Sequence, residues 1–229
     1  INADSMQIYR ELSILTARPT INDQKKINHH LYGFVSVKKY FSAGEWLKEA
    51  KKKINLCLKK KRVPIITGGT GLYFNTITKG ISKIPNIDLK TRKKVRSLFK
   101  KLGPKNFYKK LLEIDPKAKD KIVSTDSQRT QRAYEVKIKT KKSLFDWIAN
   151  TKSDFLDYDI KKIFLNIPRE ELLVKIYNRT EQMFQQNCIT EVKKFNSIQL
   201  KKSFPAHKLI GVKEITLLGQ NVNAYEYEN

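Results

Sequence analysis

The sequence predicts an α/β fold with a parallel sheet and a small all-helical insertion. Three observations predict it. Two apolar runs, Val63-Pro64-Ile65-Ile66-Thr67 and Ile160 to Ile167, are each followed directly by a helical pattern. A glycine-rich turn, Gly68-Gly69-Thr70-Gly71, joins the first run to its helix. The stretch Pro85 to Thr125 carries helical periodicity, a dense basic exterior and no strand signal. Strands that alternate with helices imply a parallel sheet.

Taken in order, Ile1-Asn2-Ala3-Asp4 reads as the end of a strand running into a site. The chain starts without methionine, so an upstream piece is expected to be absent. Between Ser42 and Lys60, Trp46, Leu47, Ala50, Ile54 and Leu58 mark an amphipathic helix. Val63 to Thr67 is expected to be a buried strand, and Leu72 to Ile77 opens a helix. Asp88 caps a helix carrying Val95, Leu98, Phe99 and Leu102 on one side, and Gly103-Pro104 breaks it. A second helix holds Phe107, Leu111 and Leu112 and ends before Asp115-Pro116. Ile160 to Ile167 is expected as another strand. Pro168 suits the first turn of the next helix, because its missing N–H is not needed there. That helix carries Leu172, Leu173, Ile176, Tyr177, Met183 and Phe184 as a stripe. The tail from Gly219 to Asn229 is polar. With nine glycines in 229 residues, no linker stands out. The expected organisation is a core at 1–84, a helical insertion at 85–125 and the rest of the core at 126–229.

Charge is the compositional outlier. Lys+Arg is 47 against 22 for Asp+Glu, a net charge of +25. That balance points to polyanionic partners: nucleic acid, phosphorylated small molecules or an anionic membrane surface. A general lysine coating is the alternative. Two distant cysteines, Cys57 and Cys188, make neither a disulfide framework nor a metal motif and suit a reducing cytoplasm. No run of 18 apolar residues exists to span a membrane, and no signal peptide opens the chain.

Several groupings are candidates for chemistry. Asp4-Ser5-Met6-Gln7 follows a strand end, where ligands bind in open α/β sheets. Asp4 there is either a base or metal carboxylate, or an ordinary cap. Gly68-Gly69-Thr70-Gly71 either admits a phosphate to the backbone or simply turns the chain tightly. Asp126 caps a helix opening Ser127-Gln128-Arg129-Thr130-Gln131-Arg132. Gln128 and Arg132 share a face and suit a base edge and phosphates. Arg132 paired with Glu135 is the structural alternative. His29-His30 lacks a third ligand, so zinc is not expected, but one imidazole suits a hydrogen bond near the site. Arg179 either closes on a phosphate or is solvated.

In combination and in this order, the motifs resemble the tRNA dimethylallyltransferases. They are Ala3-Asp4-Ser5-Met6-Gln7-Ile8-Tyr9-Arg10, Thr16-Ala17-Arg18-Pro19-Thr20, His29-His30-Leu31, Tyr40-Phe41-Ser42-Ala43, Gly68 to Tyr73, Asp126 to Val136, Arg169-Glu170-Glu171-Leu172, Arg179 to Met183 and Ile210-Gly211-Val212-Lys213-Glu214. The resemblance implies a P-loop-kinase-like parallel sheet flanked by helices, with the insertion gripping a tRNA anticodon stem-loop. The implied reaction moves a dimethylallyl group from dimethylallyl diphosphate to N6 of adenine 37 in tRNAs reading UNN codons. Asp4 matches the general base; Thr70 and Arg92 match positions contacting substrate near the reaction centre. Asp4, Ser5, Met6 and Gln7, with Gln128, Arg129, Thr130, Gln131 and Arg132, match tRNA-contacting segments. Arg179 matches an arginine near the diphosphate. Mg²⁺ is the implied cofactor, with no ligand among these residues, and a monomer the implied state. The family's G-x-x-x-x-G-K-[ST] loop and its basic Trp-containing C-terminal segment do not occur in these residues. The 229-residue chain alone is therefore expected to turn over little. The alternatives are an adenylate isopentenyltransferase, a P-loop nucleotide kinase relative that binds ATP, and a non-catalytic RNA-binding remnant.

Overall fold

The computed structural model describes residues 1–201 and 204–209. The motif at 210–214 and the polar tail lie outside them. The chain divides into two compact units, Ile1–Phe74 with Tyr158–Asn229, and Asn75–Asp157.

The first unit is organised around a buried cluster. Ile8, Tyr9, Leu12, Leu15, Val35 and Val37 from the N-terminal loops pack with Cys188, Val192 and Phe195 and with Ala206 and Leu209. The first three of those partners lie on α8 (Cys188–Ser197). A short helix, α1 (Ile21–Lys26), is closed by a Thr20–Asp23 capping box. The expected helix after Ser42 is α2 (Ala43–Lys59), opened by a Ser42–Glu45 capping box. It buries Trp46, Leu47, Ala50 and Ile54, whereas Leu58 at the far end of the stripe is 39% exposed. Trp46 is fully buried, stacks at 4.3 Å on Tyr73 of α3 (Gly71–Thr78), the helix expected to open at Leu72, and donates its indole N–H to the Asn2 carbonyl at 2.8 Å. Truncating such a residue to alanine costs about 3–5 kcal/mol.

The sheet is where expectation and structure part. Among the described residues there is no strand ladder, only two isolated parallel bridges, Asn2 with Thr67 and Tyr9 with Val35. Val63 to Ile66 belong to no helix or strand, Thr67 makes only its bridge to Asn2, and Val63 and Ile65 are 85% and 66% exposed. Ile163, Phe164 and Leu165 are more than 80% exposed. Apolar side chains on these runs suit a sheet covered on both faces. The described residues provide no neighbouring strand to cover them.

The same holds for α7 (Arg169–Gln185). Its bounds match the periodicity, with Pro168 as the preceding cap residue. Its stripe does not reach a core: Leu172, Leu173, Ile176, Tyr177 and Phe184 are 42–65% exposed, and no residue of the helix is buried. Met183 alone of the stripe packs against the first cluster.

The second unit is helical and spans Asn75–Asp157, so residues 85–125 lie within it. Its long helix, α4 (Leu89–Ile114), begins at Asp88, whose carboxylate accepts the Thr91 N–H at 2.7 Å. Gly103, at φ +70°, and Pro104 kink it where the sequence sets a break. Val95, Phe107 and Leu111 of α4 bury against Ala133 and Tyr134 of α5 (Ser127–Thr140) and against Ala118 and Ile122. A buried hydrogen bond from Ser143 to Asp115, 2.8 Å, ties in α6 (Leu144–Ala149). Within this unit, Ser82 and Thr151 are joined by a hydroxyl contact of 2.6 Å. Gly80 there, at φ +87°, leaves room for the Lys152 backbone, whose carbonyl carbon would lie 2.6 Å from a β-carbon.

Candidate active site

Backbone pairing builds the site from two segments. The Ala3 N–H donates to the Thr67 carbonyl at 2.7 Å, and the Thr70 N–H returns a bond to the Ala3 carbonyl at 3.0 Å. Gly68 lies between them because its neighbours allow nothing larger: a β-carbon there would stand 2.6 Å from the Asp4 nitrogen. This turn sits against Asp4. The glycine is required by this close approach of two backbones, a contact that neither sequence reading, a phosphate site or a tight turn, named.

Asp4 sits at the head of a short turn. Its N–H donates to Asn2 Oδ1 at 2.8 Å, and its own Oδ1 accepts the Met6 N–H at 2.7 Å. An Asx turn of this kind fixes the carboxylate without a helix. The next N–H, of Ser5, donates to Thr70 Oγ1 at 2.9 Å, and the Thr70 hydroxyl donates to Ser5 Oγ at 3.2 Å. Thr70 thus holds the residue beside Asp4 in place.

Asp4 and Gly68 border an open pocket of about 690 Å³. Asp4, Gln7, Arg18, His29, Tyr32 and Gly68 are among those lining it, with Asp23 and Lys26 at the same opening. His29 stands edge-on to Tyr32 at 5.5 Å. Burial, aided by the charge of Asp4, pushes the Tyr32 phenol above its ordinary value, so it remains a neutral donor at physiological pH. Gln7 donates its amide to the carbonyls of Thr16 and Ala17 at 2.8 and 3.2 Å. The pocket is therefore lined by two carboxylates, a phenol, an imidazole, an amide and cations, with bare backbone at Gly68 and Gly69.

Of the sequence-expected residues, Asp4, Ser5, Gln7 and Thr70 come together here. Met6 turns its side chain to the first unit's core. Arg179 is exposed on α7. Arg92 and Gln128 to Arg132 belong to the second unit. There the Arg92 Nε is buried without a hydrogen-bond partner. Gln128 and Arg129 are exposed, and Arg129 lies 3.4 Å from Asp126. Thr130 is 1% exposed and bonds the Asp126 carbonyl within its helix. Gln131 donates to the Ser127 carbonyl, and Arg132 pairs with Glu135 at 3.6 Å. The structural pairing left open for Arg132 is thus present.

No group of three or more metal-ligating side chains occurs among the described residues. His29 is a pocket wall, as one of the two expected histidine roles requires. Mg²⁺ commonly binds through one or two carboxylates plus substrate phosphates. The described residues offer no protein cage for it.

Sequence reasoning gave no individual role to Arg18, Asp23, Lys26 or Tyr32. Arg18 lies inside a quoted motif, but spacing carries no hint that its guanidinium crosses Gly33 into the pocket wall. Glu191 lies 176 residues or more from the backbone it binds, so no local pattern signals it.

Comparison with known proteins extends this picture along the chain. The family model for IPP transferase matches residues 7–228. A tRNA dimethylallyltransferase of Pelagibacter ubique is 52% identical over 216 residues, covering 94% of this chain and 69% of the relative. One of Wolbachia pipientis wMel is 41% identical, covering 94% and 71%. The full-length tRNA isopentenylpyrophosphate transferase of Bacillus halodurans superposes with a TM-score of 0.61 at 28% identity, over 97% of this chain and 68% of that one. A eukaryotic dimethylallyltransferase acting on tRNA shares the fold at a TM-score of 0.79 and 21% identity, over 97% and 57%. The family model spans nearly the whole chain, with the glycine-rich turn and the helical unit inside it, and the chain belongs to the IPP transferase family.

Proposed function

We propose that the chain transfers a dimethylallyl group from dimethylallyl diphosphate to N6 of adenine 37 in tRNAs reading UNN codons. The observation that carries the reading is Asp4, fixed by Met6 and flanked by the Thr70–Ser5 pair, at the rim of a polar pocket. The relatives that are tRNA dimethylallyltransferases support it.

The chemistry follows from charge. A neutral exocyclic amine is a weak nucleophile, and its protons become acidic as N6 attacks the allylic carbon. The C–O bond to diphosphate breaks as the N–C bond forms. Asp4 accepts the amine hydrogen bond and takes the proton, a role worth typically about 10²–10⁴-fold. Thr70, Arg92 and Arg179 are assigned to the departing diphosphate, where negative charge accumulates. Gly68 and Gly69 leave backbone open to an oxygen. Adenine 37 must leave its stack to react. Ser5, Met6, Gln7, Gln128, Arg129, Thr130, Gln131 and Arg132 are assigned to the tRNA by family resemblance. The lysines of α4 suit the phosphate backbone, which they hold without reading sequence. The diphosphate oxygens themselves would hold Mg²⁺, which would neutralise part of the charge that accumulates there.

The two parallel bridges are taken as positions of a P-loop-kinase-like parallel sheet. No helix among the described residues is long and apolar enough to cross a membrane. The cytoplasm is the proposed compartment, on the strength of the tRNA substrate, and a monomer the proposed state.

The test offers labelled dimethylallyl diphosphate to the 229-residue chain and to a version carrying a G-x-x-x-x-G-K-[ST] segment ahead of Ile1. The acceptors are an anticodon stem-loop with adenines at 36 and 37, and free AMP. Label on the stem-loop from either version supports the reading. Label on AMP alone overturns it in favour of a free-nucleotide acceptor.

A further inference from the structure

Glu191 is the most heavily hydrogen-bonded carboxylate among the described residues, and it does not line the pocket. It lies in the first turn of α8, 9% exposed. Oε1 accepts the Ser13 N–H at 2.6 Å, the Ser13 hydroxyl at 2.9 Å and the Ile14 N–H at 2.9 Å. Oε2 accepts the Ile14 N–H at 3.1 Å and the Leu15 N–H at 3.0 Å. Three successive backbone N–H groups converging on one anion form a nest. Here the anion is part of the protein, so the nest is a clamp between α8 and the 13–15 turn.

What the clamp holds is the pocket wall. The turn continues with the Ala17 N–H donating to the Ile14 carbonyl and the Arg18 N–H donating to the Ser13 carbonyl. Ala17 sits at φ +48°, a left-handed conformation that an alanine keeps only when its neighbours enforce it. The carbonyls of Thr16 and Ala17 receive the Gln7 side-chain amide. Arg18 leaves the same turn, crosses Gly33 and donates to the Arg10 carbonyl at 3.2 Å. Gln7, Ala17 and Arg18 all line the pocket.

We infer that Glu191 is a positioning residue: by clamping the amides of Ser13, Ile14 and Leu15 it fixes the carbonyls that aim Gln7, and the side chain of Arg18, for the RNA. The inference rests on the proposed function, in which Gln7 contacts the tRNA. A carboxylate suits the task because it only accepts. A glutamine side chain in its place would turn one NH₂ toward backbone donors and lose part of the clamp. Bonds to a charged acceptor are also the stronger kind.

The experiment measures stem-loop affinity for the full 229-residue chain and for Glu191→Gln, Gln7→Ala and the double variant. Thermal midpoints and amide hydrogen exchange at residues 13–15 are read alongside. Glu191→Gln is expected to weaken stem-loop binding by about tenfold, the loss of a charge-assisted hydrogen bond. Exchange at Ser13, Ile14 and Leu15 should accelerate. The double variant should bind no more weakly than the weaker single one, because both act through one contact. A purely structural role would instead give additive losses. Ser13→Ala, which removes one bond and leaves the carboxylate, covers the case in which Glu191→Gln fails to fold; it should weaken binding by a smaller factor in the same non-additive way. Unchanged or additive stem-loop binding in Glu191→Gln, or in Ser13→Ala if that is the variant that folds, overturns the inference while a loss in Gln7→Ala keeps the proposed function. Unchanged binding in Gln7→Ala overturns both the tRNA role of Gln7 and the inference.

Discussion

The guanidinium of Arg18 lies over Gly33 in the space a β-carbon would occupy. Gly33 is also at φ +54°, and its N–H donates to the Gln7 carbonyl at 2.9 Å. One glycine therefore serves both a left-handed turn and the path of a pocket-lining cation. Gly33→Ala is expected to destabilise the protein by about 1–2 kcal/mol from the backbone alone, lowering the thermal midpoint by a few degrees. It should also release Arg18 from the Arg10 carbonyl. Differential scanning calorimetry checks the first effect; an unchanged midpoint would sink it.

Asp4→Asn separates chemistry from architecture. Asparagine retains the oxygen that accepts the Met6 N–H, so the turn is preserved. It cannot take a proton from N6. Single-turnover transfer should slow by about 10²–10⁴-fold while stem-loop binding stays nearly constant. Undiminished transfer would remove Asp4 as the base.

Thr70→Val and Thr70→Ser divide the role of that side chain. Valine leaves the Ser5 N–H without its acceptor, at a cost of about 1–3 kcal/mol for a half-buried donor. Serine retains the hydroxyl oxygen and should lose much less. Urea midpoints for the two variants check the order; a larger loss in serine than in valine would mean that the methyl, and not the hydroxyl, is what the fold uses.

His30 gives the stability a pH dependence near neutrality. Burial first, then the positive charge of Lys53, pushes its imidazole below the ordinary value. The folded state therefore resists protonation more than the unfolded chain does. Stability is full above the unfolded value of about 6.5 and falls as pH drops below it, until the lowered folded value is passed. The carboxylates of Asp88, held down by Lys139 and Thr91, and of Asp23, held down by Thr20, act in a more acidic window. Their contributions are present above about pH 4 and are lost as pH falls through their lowered values. His30→Gln should flatten the thermal-midpoint profile between about pH 7 and 5 and leave the acid limb intact. A profile that keeps its slope there would assign it to another group.

Much of the local structure was legible in the sequence. Ser42 with Glu45, Asp88 with Thr91 and Asp126 with Arg129 cap their helices where spacing places them, because a cap is decided within four residues. The Gly103-Pro104 kink is likewise a property of two adjacent backbones. The sheet was not legible in this way. Val63 to Thr67 and Ile160 to Ile167 have strand composition, but a strand is completed by a neighbour, and the described residues supply only single bridges. The stripe on α7 shows the same limit, since periodicity says which side is apolar and not what covers it.

The sequence by itself determined the family, through motifs in a fixed order, and placed Asp4 and the glycine-rich turn in short contiguous stretches. Tertiary structure alone decided that Thr70 holds Ser5, that Arg18 crosses Gly33 and that Glu191 clamps the 13–15 turn. Those contacts join residues 15 to 178 positions apart. Their energy depends on directed hydrogen bonds and burial, which exist only once the chain has brought distant donors and acceptors together.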